Sequence, residues 1–255
     1  MKKLDYDKNF YELQKKTNMS SAEKIVPIVL DYIRKSDDFK VIDLGCGSGN
    51  WLSVFKQYGC TVLGVDGGGI DHEQLMIDEE EFVLHDFRNK FVSSEKYSLA
   101  MSLECAEHIP EGNADDFIDT LTELSDVILF SGAIPHQRGR GHINEQYPSY
   151  WVDKFAVRGY EVFDIIRRKV WNDNDVRAFY AQNIFLYIRK ESEFYKGNAN
   201  DLSSLPSMGA INIVNPRIWE DVNNYKIVKL MDALHENKFV AWIYYKFIKQ
   251  HINFN

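Results

Sequence analysis

The segment that carries most chemistry is Val41-Ile42-Asp43-Leu44-Gly45-Cys46-Gly47-Ser48-Gly49-Asn50-Trp51. Three glycines alternate with small residues, and an acid stands two places before the first. Glycines in such a loop let the backbone turn tightly and let a ligand approach with no Cβ in the way. A dinucleotide fingerprint requires G-x-G-x-x-G, and Asn50 stands where its last glycine would be. A carboxylate at Asp43 also disfavours a pyrophosphate at the following helix N-terminus. The cationic end of an amino acid would welcome it. The loop therefore favours an aminoacyl ligand over a dinucleotide.

Three more acids follow in order. Asp66 closes the run Thr61–Asp66, Asp86 closes Glu81–Asp86 before Phe87, and Glu104 follows Tyr97–Leu103. An acid at the end of a second strand can accept two hydrogen bonds from ribose hydroxyls. Glu104 falls at the carboxyl edge, where ligands bind in open α/β sheets.

The elements that must position these residues alternate in period. Seven short β-rich runs are visible: Lys40–Leu44, Thr61–Asp66, Glu81–Asp86, Tyr97–Leu103, Val127–Phe130, Glu161–Ile166 and Asn183–Ile188. Helical patterns fit at Asn50–Tyr58, Ala114–Leu124 and Tyr150–Val157. Strands alternating with helices predict an α/β fold with a doubly wound, seven-stranded, mostly parallel sheet. The last two runs lack a clear helix between them, which predicts an antiparallel edge hairpin. This core is expected over residues 38–190.

Residues 1–37 are expected to form an N-terminal helical cap. Ser20-Ser21-Ala22-Glu23 has the capping-box pattern before an apolar run ending near Ile33. Pro27 would kink that helix or begin it afresh. Residues 191–255 are expected to be a C-terminal extension: a linker over 191–217, then one or two helices over 225–250. Its aromatic segment Lys238–Lys249 is apolar nearly all round, which suits burial in a core or a homodimer better than a membrane surface.

Composition narrows the class. With 45% hydrophobic residues in 255, the chain can build a sizeable core, unlike a disordered one. Its 30 basic against 38 acidic residues argue against a general nucleic-acid binder, which needs clustered Lys and Arg. Cys46, Cys60 and Cys105 form no CxxC pair, so neither a disulfide framework nor a metal site is expected. No apolar run of about 18 residues predicts a membrane span, and no signal peptide is visible. A cytoplasmic location is expected.

On the glycine loop and the four acids, the sequence resembles the class I S-adenosylmethionine (SAM) dependent methyltransferases over roughly residues 38–190. The resemblance implies a Rossmann-like fold and SAM as cofactor. It implies that Asp43, Gly45, Gly47, Gly49, Asp66, Asp86, Phe87 and Glu104 bind it, with Asp86 accepting from the adenine amine and Phe87 stacking on the ring. The run Gly67-Gly68-Gly69 departs from the commonest family pattern and leaves the adenine wall to Ile70. The resemblance also implies that Phe10, Tyr11 and Met19–Ser21 could form a lid over the site.

Methyl transfer needs alignment of the acceptor and removal of its proton. Two segments are placed for that work. His108, in Glu104-Cys105-Ala106-Glu107-His108, has a near-neutral titration, and the family often carries Glu-His here. The segment from Ala133 to Trp151 brings together His136, Arg138, Arg140, His142, Asn144, Glu145, Tyr147 and Trp151. The expected catalytic residues are His108, His142 and Glu145. Arg138, Arg140, Asn144, Tyr147 and Trp151 are expected to bind the acceptor. Two guanidinium groups suit a phosphate or carboxylate. The run His142–Trp151, with Asn215-Pro216-Arg217, resembles bacterial methyltransferases encoded among surface-polysaccharide (capsule) genes. That resemblance implies O-methylation of a small anionic or sugar-like acceptor, for instance a phosphorylated or phosphoramidate glycan precursor. Three alternatives stay open: N-methylation of a small molecule, a nicotinamide oxidoreductase on the same fold, and a non-catalytic SAM-fold partner subunit.

Overall fold

A computed structural model describes residues 8–34, 36–67, 72–204, 210–221 and 223–224. Ile70, the segment 225–250 and the side chains of Phe10 and Tyr11 lie outside the described residues.

The seven strands form one sheet in the order β3-β2-β1-β4-β5-β7-β6. They are β1 (Lys40–Leu44), β2 (Thr61–Asp66), β3 (Phe82–Leu84), β4 (Leu99–Leu103), β5 (Val127–Ser131), β6 (Tyr160–Phe163) and β7 (Phe185–Arg189). The first five pair in parallel. β7 is antiparallel to both β5 and β6. This is the doubly wound, mostly parallel sheet that the alternating runs predict.

Parallel strands buried on both faces read as continuous apolar runs, and that is the pattern here. Val41, Leu99, Met101, Val127 and Leu129 face one core layer, with α1 (Lys8–Ile33) and α2 (Asn50–Gln57). Ile42, Leu44, Ala100, Ile128 and Phe130 face the other, with α3 (Ala114–Leu124) and α4 (Pro148–Ala156). Successive strand residues thus serve opposite layers, and the parallel run of β1 to β5 brings their carboxyl ends, with Asp66 and Glu104, to one edge of the sheet.

Three local expectations are corrected. α1 is one helix of 26 residues that continues through Pro27. Ser20 and Ser21 therefore stand mid-helix and form no capping box. Their hydroxyls are engaged by a distant loop instead: Ser20 Oγ donates to Asp175 O (2.7 Å) and Ser21 Oγ accepts from Arg177 N–H (3.0 Å). Second, β6 and β7 are antiparallel neighbours but not a hairpin, because α5 (Arg167–Val170) and α6 (Ala178–Asn183) lie between them. Buried Arg167 holds this crossover. Its Nε and Nη2 donate to Asp164 at 2.9 and 2.7 Å, its Nη1 donates to Gln182 O, and its guanidinium lies 4.0 Å from the Phe185 ring centre. Third, the expected linker contains α7 (Glu193–Gly197) and α8 (Ala199–Ser204), with Ser192 Oγ capping α7 by accepting from Tyr195 N–H.

The chain groups into two compact units, residues 1–213 and 214–255. In the second, Arg217 N–H donates to Asn215 Oδ1 (3.0 Å). Among the described residues, no helix is long and apolar enough to cross a membrane.

Candidate active site

β1 runs into the glycine loop and the loop into α2. Gly45, Gly47 and Gly49 have φ of 87°, 54° and 79°, a region that side-chain-bearing residues enter at a cost. Gly45 is also sterically fixed, because a Cβ there would lie 2.3 Å from Cys105 Sγ. At Gly47 no atom lies within 4 Å of a Cβ position, so the backbone is open to an approaching molecule. The Gly47 N–H donates to Asp66 Oδ2 (2.9 Å), which ties the loop to the end of β2. Beside it is a cleft of about 510 Å³ at the carboxyl ends of the strands. Gly45, Gly47, Asp66, Asp86, Phe87, Arg88, Glu104, Cys105 and His108 line it.

The acids around the loop differ in environment. Asp43 is 2% exposed and its Oδ1 has no hydrogen-bond partner. Burial, and then the charge of Asp66, hold its carboxyl well above the usual carboxylate range. Asp86 is in the opposite condition. Arg88 Nε donates to both its oxygens (3.0 and 2.9 Å) and lowers its pKa to about 2. Burial pushes the thiols of Cys46 and Cys105 up, so neither is a thiolate at neutral pH.

Glu104 has φ of 52°, a strained value for a non-glycine residue. The strain turns its carboxylate into a cradle of amides. Gln137 Nε2 donates to Oε2 (2.5 Å) and Asn183 Nδ2 to Oε1 (3.0 Å), while the Glu104 N–H donates to Ser131 Oγ. Burial raises its pKa and these bonds oppose the rise.

Next to Glu104 lies a cluster of two acids and two histidines. Glu107 is 1% exposed, and its Oε2 has no partner. Burial, with Glu104 adding, raises its pKa to about 9. His108 Nδ1 lies 3.1 Å from Gly141 O, and partial burial lowers its pKa. The His108 and His142 rings meet edge to face at 5.0 Å. His142 Nδ1 lies 2.9 Å from Glu145 Oε1, and its Nε2 lies 3.7 Å from Glu107 Oε1. The Glu145 carboxylate also accepts from the N–H of His136 (2.8 Å) and Arg138 (2.6 Å). Both residues have positive φ, 73° and 65°, so this carboxylate holds a strained loop in shape.

Residues 8–138, just over half of the chain, match the family described as "Methyltransferase domain". The chain belongs to this family. No curated protein matches the methyltransferase at a significant level. Among solved structures it is similar to magnesium protoporphyrin IX methyltransferase from Synechocystis PCC 6803 with bound SAM. That match has 20% identity over 72% of this chain and 86% of that one, with a TM-score of 0.52. It is also similar to DesVI of Streptomyces venezuelae (13% identity, 71% and 95% covered, TM-score 0.55). A third is SAM-bound CalS10, an amino pentose methyltransferase from Micromonospora echinaspora involved in calicheamicin biosynthesis (13%, 74% and 99%, TM-score 0.52). At these identities the likeness shows the fold.

The methyltransferase brings Gly45, Gly47, Asp66, Asp86, Phe87, Glu104 and His108 to one cleft. Asp43 lies buried two residues before Gly45, and Gly49 starts α2. His142 and Glu145 join His108 in the cluster. Arg138, Arg140 and Tyr147 are on the exposed part of the loop. Trp151 is not on an acceptor surface: at 2% exposure it packs on Phe130 beneath Gly132, in the core. Its place in the first turns of α4 faces the sheet. Asn144 is buried too, with Oδ1 accepting from Gln146 Nε2 (2.9 Å) and Nδ2 unpartnered. Arg88, Gln137 and Asn183 join the site without a role expected from the sequence. The Asp86-x-Arg88 spacing was the one signal available for the first. The amides meet Glu104 across 33 and 79 residues of sequence, a distance no local pattern encodes.

Proposed function

We propose that this methyltransferase uses SAM to methylate an oxygen of a small acceptor that is anionic or sugar-like, such as a phosphorylated glycan precursor. When bound, SAM supplies an electrophilic methyl group on a sulfonium centre. The observation that carries the reading is the buried, unpartnered Asp43 Oδ1 under a glycine loop that is open at Gly47. An orphaned buried carboxyl oxygen is costly unless a cation or donor meets it, and the amino-acid end of SAM offers an ammonium. Asp66 at the end of β2 suits the ribose hydroxyls, and Asp86 with Phe87 suits the adenine. The cleft of about 510 Å³ is within the roughly 300–1,000 Å³ usual for such ligands.

On the acceptor side, His108 is the imidazole that lines the cleft. Its lowered pKa keeps it neutral, so one ring nitrogen can take the acceptor's proton. His142 buttresses the His108 ring, and Glu145 positions His142 and the loop. Arg138 and Arg140 present guanidinium groups on the same loop for an anionic acceptor, with Tyr147 exposed on that loop too. The amino pentose acceptor named for CalS10 fits the sugar-like class. Incubation with SAM and a panel of sugar phosphates tests the reading through release of S-adenosylhomocysteine. His108→Ala should lower kcat by roughly 10²–10⁴-fold with SAM affinity unchanged. An unaltered kcat would remove His108 as the base.

A further inference from the structure

We propose that Glu107, His108 and His142 form a binding site for a transition-metal dication of the zinc class. One ligand atom from each residue lies within 4.8 Å of the others. Two imidazoles and one carboxylate are a donor set that zinc accepts.

Three features of the geometry point to a cation rather than to chance proximity. The first is the gap between His142 Nε2 and Glu107 Oε1, 3.7 Å. It is too long for a hydrogen bond. It is close to the ~3.4 Å that separates two ligand atoms held about 2.0–2.2 Å from a tetrahedral zinc ion. The second is Glu107 itself, 1% exposed, with Oε2 meeting no donor. A buried carboxyl oxygen that meets no donor is costly, and a cation bound there would relieve that cost. The third is the outer shell. His142 Nδ1 is bonded to Glu145 Oε1 (2.9 Å), and His108 Nδ1 to Gly141 O (3.1 Å). A carboxylate or carbonyl behind each ring is the arrangement that orients metal-bound histidines and fixes their tautomer. Gly139 leaves room for it: a Cβ there would lie 1.9 Å from His142 Nε2.

The inference requires no methyl donor, so it stands or falls apart from the methyl-transfer reading. The two meet at one atom. A His108 nitrogen committed to the ion cannot also take a proton. An ion here is therefore an inhibitor of the transfer proposed above, not a part of it.

Calorimetric titration of the chelator-stripped full chain with Zn²⁺, in the absence of SAM, tests the site. One equivalent should bind to the wild type. Co²⁺ should give the intense visible bands of a four-coordinate site. Glu107→Gln and His142→Gln should each weaken Zn²⁺ by at least ~10–100-fold, and Glu145→Gln, behind His142, by about 10–100-fold. His136→Asn, outside the triad, should bind as the wild type does. Absence of a stoichiometric Zn²⁺ isotherm with the wild type would overturn the metal site. Equal binding by the wild type, Glu107→Gln and His142→Gln would overturn it as well, because any bound ion would then lie elsewhere.

Discussion

Replacing Asp43 by Asn separates the proposed electrostatic role of the glycine loop from its shape. The two side chains are nearly isosteric, so the loop should persist. In the ligand-free protein the substitution removes a buried carboxyl that has one unpartnered oxygen and a like charge, Asp66, nearby. Folding raises the pKa of Asp43. Wild-type stability therefore falls as pH climbs from the unfolded carboxylate range through the higher folded value, and Asp43→Asn lacks that loss. The variant should be at least as stable as the wild type at neutral pH. Binding should respond in the other direction. A charge-assisted hydrogen bond to a buried carboxylate contributes about 1.5–3 kcal/mol. At 1.4 kcal/mol per tenfold, SAM affinity should drop roughly 10- to 140-fold. A second signature comes from the proton. An arriving ammonium favours the ionised carboxylate, so the wild type should release up to one proton on binding SAM, and affinity should rise with pH until Asp43 ionises unaided. Asp66, Cys46, Cys105 and Tyr180 are the titratable neighbours of this group. Of these, the two thiols and the phenol are all raised, so they stay neutral in the same range. Calorimetry in buffers of different ionisation enthalpy reads the proton count. An Asp43→Asn protein with unchanged SAM affinity and unchanged proton release would refute the reasoning.

Three further outcomes follow from the same site. Asp66→Ala should weaken SAM binding by about 1.5–3 kcal/mol, because hydrogen bonds to a charged group are lost. Calorimetry reads the affinity, and circular dichroism should show an intact fold. Gly45→Ala should lower Tm, since the Cβ meets Cys105 Sγ at 2.3 Å and φ is 87°. The φ strain alone costs about 1–3 kcal/mol, and Cys105→Gly in the same chain should recover the part due to the clash but not that strain. Arg138→Ala with Arg140→Ala should raise acceptor KM and leave SAM affinity alone; an unchanged KM for an anionic acceptor would remove that role.

Much of the fold that builds the cleft is legible in the sequence, for a physical reason. Strands buried on both faces must be apolar throughout, so Lys40–Leu44, Thr61–Asp66 and Val127–Phe130 stand out, and each parallel strand delivers its terminal residues to the same edge. Asp66 and Glu104 are therefore expected at that edge, and Asp43 just before it, from position alone. What escapes is tertiary. Ser20 and Ser21 look like a helix start, yet α1 runs on past them because their hydroxyls are used by the loop at Asp175–Arg177. α5 to α8 span four to six residues each, too few for a helical period to show. Trp151 reads as a pocket aromatic until the turn of α4 that carries it is seen to face Phe130. The amide cradle of Glu104 and the pairing of Glu107 with His142 join residues far apart in the chain, and burial, which sets their chemistry, is not written locally.

The central claim is that the cleft beside Gly47 and Asp66 takes an aminoacyl-nucleoside rather than a dinucleotide. Parallel calorimetric titrations of the full chain with SAM and with NADH test it most directly. The account predicts one equivalent of SAM bound and no heat of binding from NADH. Saturable NADH binding without SAM binding would contradict it.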